Sequence, residues 1–326
     1  MAKIAVASES AAVQRPTRSA AAQPPVHRML AHGEGWSVSD VVCTYGPRDR
    51  PFEEQHSQVL IAVVIAGSFQ YRTPDIGRTG ELMTPGSLLL GNAGQCFECG
   101  HEHGAGDRCL SFSYAPEYFD TIAGQAGTGR EGRAFCMPRL PYLRALSPLV
   151  ARMCARLAAD SGRTGELPLR MSWEELSIQL AASAVHFADH ARRKGRDAMP
   201  SAVARVTRAV RIIEENPESD LTVRRLAREA GLSPYHFLRC FEQLTGATPH
   251  QYLLRARLRK AAMRLATEPA KVLDIALDCG FGDVSNFNRA FRREFATRPQ
   301  NFRRQGLRGY SLTRTGVPAG APLFVF

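Results

Sequence analysis

Fifteen residues, Gln95 to Cys109, carry Cys96, Cys99, His101, His103 and Cys109, with His56 upstream. Thiolate sulfur and imidazole nitrogen at short range are what zinc or another soft divalent ion prefers, so metal binding is the first chemistry these residues suggest. In an extended segment Cys99, His101 and His103 share one face while Cys96 points to the other, because side chains alternate along a strand. A three-residue Gly-Ala-Gly turn would set His101 opposite Cys109; a two- or four-residue turn would not. The expected metal set is thus Cys99, His101, His103 and Cys109, with zinc or a similar divalent ion as the cofactor. The plainer reading treats the cysteines as small buried hydrophobes and the histidines as hydrogen-bonded groups, since the Cys-x-x-Cys pair lacks a second such pair. Cys43, Cys136, Cys154, Cys240 and Cys279 sit in apolar patterns and are expected in the core.

A second chemistry lies between Leu221 and Arg304, where one helix-turn-helix unit is written twice. Ala227 matches Ala276 and Gly231 matches Gly280 at a spacing of 49. Phe237 matches Phe287, Arg239 matches Arg289, Phe241 matches Phe291, Pro249 matches Pro299 and Tyr252 matches Phe302 at a spacing of 50. The one-residue difference falls in the turn, where an insertion does least harm. In the first copy Thr222 caps a helix running through Glu229, Gly231 supplies the positive φ of a tight turn, and Ser233 caps the next helix with Pro234 at its first position. Phe237, Phe241 and Leu244 recur as one buried stripe. In the second copy Gly280 makes the turn, Asp283 is the cap and Phe287, Phe291 and Phe295 form the stripe. The opposite faces offer Tyr235, Leu238, Arg239 and Glu242 in the first copy, and Ser285, Asn286, Arg289 and Arg293 in the second. Arg can donate two bonds to guanine and Asn can pair with adenine in the major groove, whereas a charged helix face is ordinarily just solvated.

Charge favours the first of these. Pro200 to Arg308 holds 20 Lys+Arg against 11 Asp+Glu, a net of +9 out of +11 for the whole chain. A basic excess confined to a helical repeat is the footprint of phosphate binding.

These residues resemble the DNA-binding domain of the AraC/XylS family of transcription regulators. The likeness rests on Leu226-Ala227, Gly231-Leu232-Ser233, Phe237, Arg239, Phe241, Gly246, Pro249, Arg257-Leu258 and Ala261. It continues through Ile275-Ala276, Gly280-Phe281, Phe287, Arg289, Phe291, Pro299 and Phe302-Arg303. The resemblance implies two helix-turn-helix subdomains joined by a long helix, Pro249 to Ala266, with both recognition helices on one face of the duplex in successive major grooves about 34 Å apart. It implies double-stranded DNA and RNA polymerase as partners. Ala296 departs from the pattern, standing where Gly246 stands in the first copy, so a left-handed helix end is in question there.

Upstream, residues 26–138 are rich in Val, Ile, Phe and Tyr in short runs broken by Gly and Pro, which suggests a small antiparallel β-barrel or sandwich. TPGSLLLGNAGQCFE resembles a motif of cupin-type ligand-binding domains, the usual N-terminal partner in this family, and His56 falls at the place of a ligand or pocket residue. A lone His before a strand is more often structural. Residues 139–195 turn helical, with a stripe of Leu143, Leu146, Leu149, Val150, Met153 and Leu157, then another of Trp173, Leu176, Leu180 and Val185. They read as an antiparallel pair that covers the barrel or, as in the resembling family, carries a homodimer interface. Residues 1–25 and 307–326 read as tails, and 195–201 as a polar linker. Glu9, Gln14, Arg15 and Pro16 interrupt any apolar signal core, and no window is long and apolar enough for a membrane span, so a cytoplasmic protein with no membrane partner and reduced thiols is expected.

The fold class expected is α+β: a cupin-like barrel, a helical pair, and at 200–306 an all-α domain with two helix-turn-helix subdomains. The function expected is a sequence-specific transcription regulator, an activator answering a small molecule, with a metal- or redox-responsive variant built on residues 96–109 as the alternative. Arg239 and Arg289 are the foremost base readers, followed by Tyr235, Ser285 and Asn286; Leu238 would meet a thymine methyl; Arg292, Arg293 and Arg303 would meet phosphate. An enzyme, as a metal cupin fused to a DNA-binding module, would need an open metal site, and no acid–base–nucleophile set is evident elsewhere. A DNA-repair methyl acceptor would need a second close cysteine pair. A non-enzymatic regulator is therefore the expectation.

Overall fold

The computed structural model describes residues 24–74, 80–101, 106–126, 134–160, 172–191 and 200–307. Most of the expected N-terminal tail, residues 195–199 of the expected linker, the tail after 307 and His103 lie outside the described residues, and residues 200 and 201 of that linker begin a helix.

Among the described residues the N-terminal half holds ten strands: β1 (Val26–Gly33), β2 (Trp36–Cys43), β3 (Phe52–Gln55), β4 (Val59–Gly67), β5 (Phe69–Arg72), β6 (Glu81–Met83), β7 (Leu88–Gly91), β8 (Cys96–Gly100), β9 (Asp107–Tyr114) and β10 (Arg139–Leu140). They pair antiparallel in two separate sheets, β1-β2-β9-β4-β7-β10 and β3-β8-β5-β6. Among the described residues no pairing joins the sheets, so the expected closed barrel is instead two antiparallel layers. The larger sheet is covered on both faces. Ile61, Val63, Leu88, Leu90, Leu110 and Phe112 point into a core shared with the helices. Their alternates Ala62, Val64, Leu89 and Cys109 pack against Phe69, Tyr71, Met83 and Cys99 of the smaller sheet. This two-sided burial is why β4 reads as a nearly unbroken apolar run and not as an alternation.

The helical layer comprises α1 (Pro116–Gln125), a 3-10 turn at Arg144–Leu146, α2 (Ser147–Asp160) and α3 (Trp173–Ala191). Trp173, Leu176, Leu180 and Val185 of α3, and Leu149, Val150, Met153 and Leu157 of α2, are buried in the core that the larger sheet shares. The Tyr114 hydroxyl on β9 donates to the Ser177 carbonyl of α3 at 2.8 Å. The two apolar stripes therefore cover the sheet within one chain.

Seven helices follow: α4 (Pro200–Glu215), α5 (Val223–Glu229), α6 (Pro234–Thr245), α7 (Pro249–Thr267), α8 (Val272–Asp278), α9 (Val284–Phe295) and α10 (Pro299–Leu307). They build two cores. Val206, Val210 and Ile213 of α4 close the first over Phe237, Phe241 and the start of α7 at Tyr252. Leu258, Ala261 and Leu265 of α7 anchor the second with Ile275, Phe287, Phe291 and Phe295. The long helix thus feeds two cores from successive lengths, one turn after another. A capping box starts it, with Thr248 and Gln251 each satisfying the other's backbone N–H.

The halves meet along α2, which packs on α7 and α9. Buried Glu294 of α9 accepts from the Tyr142 hydroxyl at 2.7 Å and from Ser147 Oγ at 2.6 Å. The Arg255 guanidinium stacks on the Tyr142 ring, 4.7 Å from its centroid.

Candidate functional site

Both exposed helix faces are set by local chemistry. Ser233 Oγ accepts from the His236 N–H at the head of α6, with Pro234 at the first helical position. Asp283 Oδ1 accepts from the Asn286 N–H at 2.7 Å at the head of α9. Gly231 and Gly280, at φ 62° and 84°, make the turns into these helices. At Gly280 a Cβ would also come within 2.7 Å of the Glu218 carbonyl oxygen, so both conformation and space demand glycine there. Behind each face the phenylalanine stripe is buried: Phe237 and Phe241 in α6, Phe287, Phe291 and Phe295 in α9.

With the stripes facing inward, the opposite residues face solvent. Tyr235 is 76% and Leu238 40% exposed, large values for apolar side chains. Arg239 and Glu242 are exposed beside them. On α9, Ser285, Asn286, Arg289, Arg292 and Arg293 are all exposed, and Arg289 Nη2 lies 3.4 Å from Asn286 Oδ1. Ala296 keeps the left-handed helix end at φ 55°, so the turn geometry questioned at this position is retained with a side chain in place of glycine.

A cleft of about 1230 Å³ opens beside α9, lined by Lys271, Arg289, Arg293, Arg298, Arg303 and Arg304 among others. Arg303 is half-buried, and its Nε and Nη2 have no hydrogen-bond partner among the described residues. Burial holds its guanidinium pKa below the ordinary value, against a pull from Glu268. Lys271, Arg298 and Arg304 were not singled out from the sequence; only the fold brings them to α9.

The metal set expected from the sequence is not what the fold assembles. β8 and β9 belong to different sheets, so no hairpin sets His101 opposite Cys109. His101 meets Asp107 instead, Nε2 to Oδ1 at 2.6 Å, and the ligand atoms of Cys43, His101 and Asp107 all lie within 4.8 Å of one another. Cys99 and Cys109 are buried in the layer between the sheets, and burial pushes both thiols well above their usual pKa. Burial alone would lower the pKa of His101, but Asp107 and Cys43 outweigh it and carry it up to about 9. Cys96 faces outward, as the strand alternation implied, and Cys136 is exposed, not in the core. Cys43 and Asp107 were missed because their closeness to His101 depends on strand pairing over long sequence separations.

His56 is buried, with Nε2 2.7 Å from the Tyr71 hydroxyl and its ring stacked on Phe97 at a centroid distance of 4.1 Å. A Cβ on Gly91 would fall 2.5 Å from the ring. These contacts fit a packed structural imidazole better than a pocket wall.

A family of helix-turn-helix domains matches residues 226–305. The regulatory protein SoxS of Salmonella typhimurium is 34% identical over 91 residues, which is 28% of this chain and 85% of that protein. The transcriptional activator RhaS of Klebsiella pneumoniae is 37% identical over 100 residues, 31% of this chain. The match spans 36% of RhaS, little more than a third of that relative's length. Among solved structures, an AraC-type regulator from Chromobacterium violaceum is 32% identical, covers 31% of this chain and 90% of its own, and superposes with a TM-score of 0.30. Among the described residues no helix is long and apolar enough to cross a membrane.

Proposed function

We propose a role for this chain, which belongs to the AraC/XylS family of transcription regulators: it reads duplex DNA through two helix-turn-helix units and regulates transcription, as an activator, in answer to a small molecule taken up by its cupin-like N-terminal half. One observation carries the reading. Arg239 and Arg289 stand at the same place on two helices with matching caps, matching glycine turns and matching buried phenylalanines, and both are exposed.

In this reading α6 and α9 enter successive major grooves. Arg239 and Arg289 each take a guanine edge, Asn286 suits adenine, Leu238 suits a thymine methyl, and Tyr235 and Ser285 flank them. Arg292, Arg293 and Arg303 hold phosphates. The unpartnered nitrogens of Arg303, beside a cleft rich in arginine, are what an incoming phosphate would satisfy. The packing of α2 on α7 and α9 supports a coupling route from the N-terminal half. A ligand acts along it only as far as it binds one arrangement better than the other. RNA polymerase and a second copy of the chain are the further partners proposed. No catalytic role is assigned.

Selection of bound duplexes from a random pool tests this. The full chain should enrich a two-part site with halves about one helical turn apart. Arg239→Ala and Arg289→Ala should each weaken that site by about 1–3 kcal/mol and relax one base position. Arg303→Ala should weaken all sequences alike and lower the salt slope by about one. A pool with no enrichment, or a uniform loss from both Arg239→Ala and Arg289→Ala, overturns the assignment.

A further inference from the structure

Three elements bring a soft donor set together between the sheets. Cys43 ends β2 and pairs directly with Asp107 at the start of β9, which puts both side chains on one face. Cys109 lies two residues along β9 on that same face, and its thiol donates to Asp107 Oδ2 at 3.3 Å. From the smaller sheet come Cys99 on β8 and, just after it, His101. Asp107 Oδ1 engages His101 Nε2, which leaves Nδ1; that atom is fully buried and has no hydrogen-bond partner among the described residues. A buried imidazole nitrogen with no hydrogen-bond partner among the described residues, clustered with the Cys43 thiol and the Asp107 carboxylate, is not what apolar packing asks for.

We infer that this is a binding site for a soft divalent cation of the zinc type. The Cys43 sulfur and the His101 imidazole are its donors, within 4.8 Å of each other and of the Asp107 carboxylate, and Cys109 and Cys99 line the buried layer beside them. Asp107 orients the imidazole from the far side, the carboxylate–histidine–metal arrangement common in such centres. The bound thiol and the protonated imidazole each give up a proton to solvent as the metal enters. A thiolate and an imidazole favour zinc or another soft ion over magnesium or calcium, which take oxygen. The site differs from the one expected from sequence spacing in gaining Cys43 and Asp107, while the expected His103 lies outside the described residues. It does not rest on the DNA-binding reading, since none of its residues lies in α4 to α10.

The test loads the purified full chain with zinc alone, dialyses it and counts metal per chain, then repeats the loading with cobalt(II). Retention of about one ion per chain and a thiolate-to-cobalt absorption band are expected. Cys43→Ser and His101→Gln should each lower affinity roughly tenfold or more, and Asp107→Asn about tenfold to a hundredfold, with no change from the exposed Cys96→Ser and Cys136→Ser. A wild-type chain that keeps no metal, or a cobalt complex without the sulfur band, overturns the inference, as does undiminished binding by Cys43→Ser and His101→Gln. If Cys43→Ser loses its circular-dichroism signature, the cobalt spectrum of the wild-type chain and the Asp107→Asn titration still decide. Duplex selection by the wild-type chain reads the other proposal separately.

Discussion

Ala296 holds φ 55° at the place where Gly246 holds 76° in the first copy. A side chain in the left-handed region costs about 1–2 kcal/mol, and glycine's greater freedom in the unfolded chain returns part of that. Ala296→Gly should therefore raise stability by about 0.5–1 kcal/mol, read as a higher denaturation midpoint at unchanged slope. The reverse change is forbidden in the first copy, where a Cβ on Gly246 would sit 2.7 Å from Pro141. His56 makes a second single-residue prediction. Burial draws its pKa from 6.5 down to about 4, so the folded state favours the neutral ring. As pH falls, the unfolded chain takes the proton first. The stabilisation is whole above about pH 6.5, erodes between 6.5 and 4, and is gone below that. At about 1.4 kcal/mol per pH unit the window is worth about 3 kcal/mol. Wild type should lose about that much more stability than His56→Gln between pH 7 and pH 4 in chemical denaturation; equal losses would exclude the effect.

At the scale of elements, each helix pair has its own core, and α7 contributes to both. Phe241→Ala and Phe291→Ala should each cost about 3–5 kcal/mol. Hydrogen exchange should quicken in α5 and α6 for the first and in α8 to α10 for the second, with the other unit little changed. These helices were legible in the sequence because their determinants are local: Thr222, Ser233 and Asp283 cap within three residues of the N–H groups they satisfy, and the phenylalanines repeat every four. The strands were legible as strands but not as sheets. β2 pairs with β9 across more than sixty residues, and nothing near Cys43 announces Asp107 as its neighbour. The expected hairpin placed His101 by turn length alone; long-range pairing placed it elsewhere. The arginine faces could be named from spacing, whereas the cleft that collects Lys271, Arg298 and Arg304 around Arg303 could not.

At the scale of the whole molecule, Glu294 is the point where the halves hold each other. Tyr142→Phe with Ser147→Ala removes both donors and leaves a buried carboxylate without them, at a cost of about 1–3 kcal/mol or more. The expected result is faster hydrogen exchange in α2 and α9 with the β layers unchanged; equal protection throughout would show that apolar packing alone holds the junction. Because Glu294 rides on the helix that bears Arg289, loosening it frees one arginine-bearing helix more than the other. The two cores of the C-terminal half also draw on the first half of the chain. Leu82 of β6 completes the one around Phe237, and Ala151 of α2 flanks the one around Phe291. Parting the chain between its halves would thus leave each helical unit with a bare oily scar, and the fragment would be stickier and more prone to clump than the intact protein.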